Sequence, residues 1–166
     1  MDAVEGFNSL PAARLSDDLR ACCAAPGWGA AIVAGRPYPD RAAIIAVADA
    51  AARALTWDEV LVAMAAHPRI GERAAGESRE AAWSRHEQSA AAPGDDGAAL
   101  IEANRAYEER FGHVFLIFAS GRTQAEIVAA ARERLANDEA TERAIVTGEL
   151  GKIALLRLER VLDALR

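Results

Sequence analysis

An all-α fold is what this sequence predicts: a single-domain bundle of about eight helices with no sheet. Three observations carry it. Apolar residues make up 52% of the chain, much of this is alanine, and Val, Ile and Thr seldom alternate with polar residues; that composition favours packed helices over sheet. Two stretches, Thr56-Trp57-Asp58-Glu59 and Thr123-Gln124-Ala125-Glu126, have the form of capping boxes. In each, the threonine oxygen accepts from the third amide and the glutamate reaches back to the cap. Proline and glycine break the apolar-periodic stretches into helix-sized pieces. With 166 residues the chain has the length of one domain and ample surface to bury a core.

Taken in order, Asn8-Ser9 reads as an N-cap with Pro11 in the first turn of a short helix to about Cys23. Pro26-Gly27 breaks it, and a second short helix covers Trp28 to Ala34. Residues 35–39 form a loop, and Asp40 caps a helix from Arg41 to about Leu55, with Ile44, Ile45, Ala48, Ala51, Ala52 and Leu55 at helical spacing. Thr56 opens a helix carrying Val60, Leu61 and Met64 and ending near Ala66. Pro68 lacks the amide for another turn, so His67 falls at a helix C-terminus, where the negative end of the dipole favours the imidazolium. A polar loop over 71–77 leads to a helix capped by Ser78 and running to about Ala91; 93–97 is a loop again. The next helix, about Ala98 to Arg110, has Leu100, Ile101, Asn104 and Tyr107 on one face.

Residues 111–119 are the one strand-like piece by propensity. With no second strand to pair with, they are expected as a buried extended segment or a helix start. Thr123 then opens a helix to about Ala136, and Asn137-Asp138 restarts the chain into a long last helix to about Leu165. Gly148 and Gly151 interrupt that helix, where they allow a bend or a close helix contact.

Composition excludes several classes of function. A net charge of −6, with arginines interleaved among acids, gives no concentrated basic surface for nucleic acid. No apolar run approaches the ~18 residues that span a bilayer. Asp2, Glu5, Asp17 and Asp18 near the start fit neither a signal nor a transit peptide. Cys22 and Cys23 are adjacent, the only cysteines, and cannot build a disulfide framework; reduced thiols in a cytoplasmic protein are expected.

The candidate chemistry lies first in His67 and in the helical face Ser84, Glu87, Gln88, at spacing i, i+3, i+4. A hydroxyl, a carboxylate and an amide together bind a flat ligand rich in N–H and C=O groups, although a solvated polar face has the same pattern. His67 read alone is also a helix-end histidine. His86 adjoins Glu87, and His67 and His113 stand apart, so the i, i+4 spacing of a metal helix is missing. In the last helix Leu150, Ile153, Ala154, Leu158, Val161 and Leu165 form one apolar arc, opposite Lys152, Glu159, Arg160, Asp163 and Arg166. Arg157 falls inside the apolar arc. A guanidinium there is paired, binds an anion, or snorkels outward.

Four motifs in order resemble the family of OHCU decarboxylases, where OHCU is 2-oxo-4-hydroxy-4-carboxy-5-ureidoimidazoline, a late intermediate of urate breakdown. They are His67-Pro68-Arg69-Ile70-Gly71; Ser84-x-x-Glu87-Gln88; Phe111-Gly112-His113-Val114-Phe115-Leu116-Ile117; and Gly148-Glu149-Leu150 through Ile153 to Leu156-Arg157-Leu158. Each alone is weak, while the ordered set covers nearly the whole chain. Where the family often carries Phe-Pro, this chain has His113-Val114.

The resemblance implies one all-helical domain over residues 1–166, usually a homodimer, with no metal and no organic cofactor. It implies conversion of OHCU to (S)-allantoin with loss of CO2. It makes His67, Glu87 and Arg157 the catalytic residues. Pro68, the segment Ser84, Arg85, His86, Glu87, Gln88, and the stretch Phe115, Leu116, Ile117, Phe118, Ala119 become the substrate contacts. The ligand is a small ureido-imidazoline. A helical binding or dimerisation module with a polar pocket and no catalysis is the reading from a different class.

Overall fold

A computed structural model describes residues 2–67, 83 and 97–165. Among them are eight helices and no strand: α1 Ala3–Ser9, α2 Ala12–Cys22, α3 Pro26–Ala34, α4 Arg41–Arg53, α5 Trp57–Met64, α6 Gly97–Phe111, α7 Gln124–Arg134 and α8 Glu139–Ala164. The all-α expectation therefore holds. The predicted loop over 71–77 and most of the predicted helix over 78–91 lie outside the described residues; Trp83, within that stretch, is helical. The chain divides into two compact units, residues 1–66 with 150–166, and residues 67–149.

The first unit begins with a helix that sequence periodicity did not reveal. Asp2 accepts from the Glu5 amide at 2.8 Å, and Glu5 accepts from the Asp2 amide at 3.0 Å. This capping box starts α1 six residues before the expected N-cap at Asn8-Ser9. Asn8 closes a different connection: its amide donates to the Tyr38 carbonyl at 2.9 Å and its oxygen accepts from the Tyr38 amide at 2.8 Å. Arg36 donates to the carbonyls of Phe7, Asn8 and Leu10, the orphan acceptors at the end of α1. The expected break before Trp28 is present, with α2 ending at Cys22, and Pro26 is itself the first residue of α3, where its missing amide costs nothing.

Asp40 and Thr56 cap α4 and α5 as predicted, accepting from Ala43 and Glu59 amides. Phe7, Leu15, Leu19, Trp28, Ile32, Ile44, Val60, Leu158 and Leu162 of this unit are wholly buried. Trp28 spends its indole N–H on the Ala48 carbonyl at 3.0 Å, so its large apolar body is buried with no orphan donor. Small residues set the spacing. Gly151 of α8 comes within ordinary contact distance of the Ala52 methyl, which is the close helix approach expected of one of the two glycines. The helix α8 runs unbroken through both glycines.

The second unit packs α6 on α7 around Leu100, Ala103, Tyr107, Phe115, Ile117, Ala119, Ile127, Val128 and Ala131. Ile101, placed on the apolar face by spacing, is 70% exposed, and Ala103 takes the inward position instead. Residues 114–119 have neither helix nor strand, and Phe115, Leu116, Ile117 and Ala119 are buried, as the sheet-less alternative required. Thr123 caps α7 with the predicted box. Helix ends otherwise fall within two residues of their expected positions.

At the centre of this unit is a charged cluster that the periodicity did not disclose. Glu142, wholly buried, accepts from Tyr107 Oη at 2.5 Å, from Arg134 Nε at 2.7 Å and from Asn137 Nδ2 at 3.1 Å. Arg134, also buried, pairs with Glu142 through its Nη2 as well and sends Nη1 to the Leu116 carbonyl at 2.9 Å. Its guanidinium lies 4.6 Å from the Phe115 ring centroid and 5.6 Å from that of Tyr107. Burial, and then the bond to Glu142, push the Tyr107 phenol well above the usual tyrosine range, so it remains a donor.

Two substitutions test this packing. A Cβ on Gly35 would meet Tyr38 Cζ at 2.8 Å, and the Tyr38 hydroxyl is committed to the Ile32 carbonyl at 2.7 Å. Gly35→Ala should therefore cost about 1–3 kcal/mol in urea unfolding, although its backbone suits alanine. Glu142→Ala strands the Arg134 guanidinium in the interior and should cost about 3–5 kcal/mol. Wild-type unfolding midpoints in either variant would contradict the corresponding assignment.

Candidate functional site

Of the candidate residues, Pro68, Ser84, Arg85, His86, Glu87 and Gln88 lie outside the described residues. Those described are His67 and Phe115–Ala119, in the second unit, and Arg157, in the first. Each group has its own surroundings.

His67 follows the end of α5. The helix closes at Met64, Ala65 and Ala66 turn back with amides on the Leu61 and Ala63 carbonyls, and His67 sits half-buried in the bend beyond. The helix-end position predicted from Pro68 is thus displaced by a short turn. Those two amides already satisfy carbonyls of the last turn, so the imidazole is not required as the cap.

Arg157 is 3% exposed, which places it inside the apolar arc as the spacing demanded. Leu150, Ile153, Ala154, Leu158 and Val161 are buried with it, whereas Lys152, Glu159 and Asp163 are exposed. Its Nη1 donates to the Ala21 carbonyl at 3.3 Å, near the end of α2. Its positive charge also reaches Cys23. Burial raises the Cys23 thiol above its ordinary range, against the pull of the Ala25 amide and the Arg157 guanidinium. Neither Cys22 nor Cys23 is in a disulfide, and both are buried, in line with reduced thiols. Cys23 also lines a surface groove of about 340 Å³ between α2 and α3, with Ser16, Arg20 and Pro26 among its other walls.

In the second unit, Phe115–Ala119 offers backbone rather than side-chain chemistry. Charged side chains hold its peptides. Arg134 takes the Leu116 carbonyl at 2.9 Å, Glu149 accepts the Phe118 amide at 3.2 Å, and Arg122 Nε donates to the Phe118 carbonyl at 3.0 Å. Neither the Ile117 N–H nor its C=O has a hydrogen-bond partner among the described residues, although Ile117 is 3% exposed. Buried peptide groups are seldom left so, and a planar ligand with complementary N–H and C=O groups would satisfy them.

The His113 ring packs on Tyr107 at 5.5 Å and on Phe111 at 6.2 Å, with Nδ1 3.1 Å from the Val114 carbonyl. Sequence reasoning missed Glu149, Arg134 and Arg122 as the groups that hold this segment. Arg134 and Glu149 each belong to a buried helix face, the same signal that singled out Arg157, and it could have been applied to them. Among the described residues, no group of three or more His, Cys, Asp or Glu side chains could hold a metal ion, and no helix is long and apolar enough to cross a membrane.

The chain is similar to known proteins across most of its length. The family model for OHCU decarboxylase matches residues 8–159, a span that contains every candidate residue. A uric acid degradation bifunctional protein of Arabidopsis thaliana, TTL, is 32% identical over 150 residues, covering 87% of this chain and 46% of that protein. A 2-oxo-4-hydroxy-4-carboxy-5-ureidoimidazoline decarboxylase of Amia calva is 35% identical over 101 residues, covering 58% of each. The chain therefore spans about half the length of these curated relatives. A crystal structure of an OHCU decarboxylase in the presence of (S)-allantoin superposes with a TM-score of 0.73 at 29% identity, over 89% of this chain and 98% of that one. With the family model matching nearly end to end, this chain belongs to the OHCU decarboxylase family.

Proposed function

We propose that the chain decarboxylates OHCU to (S)-allantoin as one catalytic domain, working as a cytoplasmic homodimer. The observation that carries this reading is the family match over residues 8–159. The buried Arg157 and the buried peptides of Phe115–Ala119 support it. Both are suited to a small, planar, anionic ligand carrying amide-like groups.

The chemistry needs three things. When CO2 leaves C4, its electron pair delocalises through the neighbouring C=N. The 4-hydroxyl then gives up its proton as the ring carbonyl forms, and a proton reaches C5 from one face. Donors must spread the developing charge, and one acid must deliver that proton. In this proposal His67 takes the hydroxyl proton and serves the C5 position. Glu87 assists and, with Ser84, Arg85, His86 and Gln88, fixes the ureido and ring N–H groups. Pro68 shapes the wall beside His67, and the Phe115–Ala119 backbone reads the ring's amide edge.

Arg157 binds the carboxylate end of the substrate. Holding a carboxylate more tightly than the transition state would oppose its loss. The useful contribution of the guanidinium is therefore to the enolate that remains.

The test generates OHCU in situ from urate and follows circular dichroism. Spontaneous decay gives racemic allantoin and no net signal, so the protein should produce a rapid signal of one hand; a trace identical to buffer would overturn the reading. His67→Asn should lose at least about a hundredfold in rate while melting as wild type, and near-normal (S)-allantoin production would remove His67 from the mechanism. Arg157→Lys keeps the charge but not the planar fork, and should retain the fold with a large loss of turnover. Arg157→Ala should in addition lose about 1–3 kcal/mol of stability, as the Ala21 carbonyl loses its donor inside the protein. Normal activity and normal melting together would make Arg157 dispensable.

A further inference from the structure

We infer that Glu149 is a positioning residue: from the buried face of α8 its carboxylate grips the Phe118 amide and fixes the peptide segment that reads the ligand. This rests on the proposed function, because it concerns how the Phe115–Ala119 backbone is held for that substrate.

The segment has a problem to solve. Residues 114–119 have no helix or strand of their own, so no ladder of repeating hydrogen bonds fixes where each peptide lies. Four of the five residues from Phe115 to Ala119 are nevertheless buried. A ligand recognised by a peptide needs that peptide placed to a fraction of an ångström, since hydrogen bonds weaken steeply with distance and angle. In an irregular segment such precision has to come from side chains.

Three side chains provide it, all from the same compact unit. Arg134 fixes the Leu116 carbonyl on one side of Ile117. On the other side, Phe118 is held at both ends of its backbone: Glu149 Oε1 accepts its N–H at 3.2 Å, and Arg122 Nε donates to its carbonyl at 3.0 Å. The peptide unit between Ile117 and Phe118 therefore has its nitrogen tied to an anion on α8. Its carbonyl belongs to Ile117, which has no partner among the described residues.

Glu149 is the decisive hold. It is 6% exposed, and a buried carboxylate is costly unless its bonds are kept. A backbone N–H bonded to a charged acceptor is stronger than one bonded to a neutral group. Rotation of the Ile117–Phe118 peptide would break that bond and redirect the Ile117 carbonyl together with it, because the unit is planar. Glu149 thereby sets the direction of a group it does not touch.

The test compares Glu149→Ala and Glu149→Gln with wild type, in the dichroism assay and in thermal melts. Glutamine retains an oxygen that can accept the Phe118 amide; alanine does not. Glu149→Ala should raise KM at least about tenfold, and Glu149→Gln should recover most of that loss, to within about threefold of wild type. Arg122→Ala, at a half-buried residue outside the helices, frees the other end of Phe118. It should raise KM in the same direction with little change in melting, so the idea stays testable if Glu149→Ala fails to fold.

A wild-type KM in Arg122→Ala and in whichever Glu149 variants fold would overturn the inference. So would a loss in Glu149→Gln that tracks only its fraction of folded protein. Wild-type protein that produces no (S)-allantoin signal would instead overturn the proposed function, which separates the two failures.

Discussion

The buried pair of Arg134 and Glu142 is the interaction on which the second unit depends. Placing two charges in the interior is expensive, and their attraction offsets the cost only when the remaining hydrogen-bonding capacity is also filled. Here three further groups bond to the pair, which joins α7 to α8: Tyr107 from α6, Asn137 from the turn between α7 and α8, and the Leu116 carbonyl from the irregular segment. The faces of Phe115 and Tyr107 cover the guanidinium. An apolar cluster of equal volume would pack these helices as well. It would not hold the Leu116 carbonyl, because only a directed donor can do that.

The first unit solves its polar problems with single side chains. Arg36 gathers three carbonyls at the end of α1, the Trp28 indole takes the Ala48 carbonyl, and the Tyr38 hydroxyl takes that of Ile32. Between these, alanine and glycine let helices approach closely. The same economy explains how Arg157 is accommodated. Among buried apolar neighbours on its own helix, one of its donors is received by the Ala21 backbone carbonyl.

Much of this was legible in the sequence, for identifiable reasons. The capping boxes at Thr56 and Thr123 combine a strong local signal with the start of an apolar period, and both stand where they were read. The burial of Arg157 followed from counting around one long helix. The box at Asp2-Glu5 has the same chemistry, but α1 is only seven residues long and offers too little periodicity to support it. Ile101 was misplaced because its spacing fits the edge of the buried face, and which edge is covered depends on tertiary packing. The site was legible in part. Arg157 and the buried stretch Phe115–Ala119 stood out locally, whereas the Glu149 and Arg134 contacts join residues 18 or more apart in sequence, and no local pattern records such pairings.

The ties on the irregular segment bear on how sequences of this kind can diverge. Recognition through peptide groups is indifferent to the side chains attached to them. Phe115, Leu116, Ile117 and Ala119 can exchange for other apolar residues as long as the core is filled, and the edge they present survives. The residues that hold the peptides have less freedom: Arg134 and Glu142 must keep their charge and reach together, since losing one strands the other, and position 149 must keep an acceptor for the Phe118 amide. Distant relatives should be easier to recognise by these scattered charges than by the apolar residues of the segment they hold.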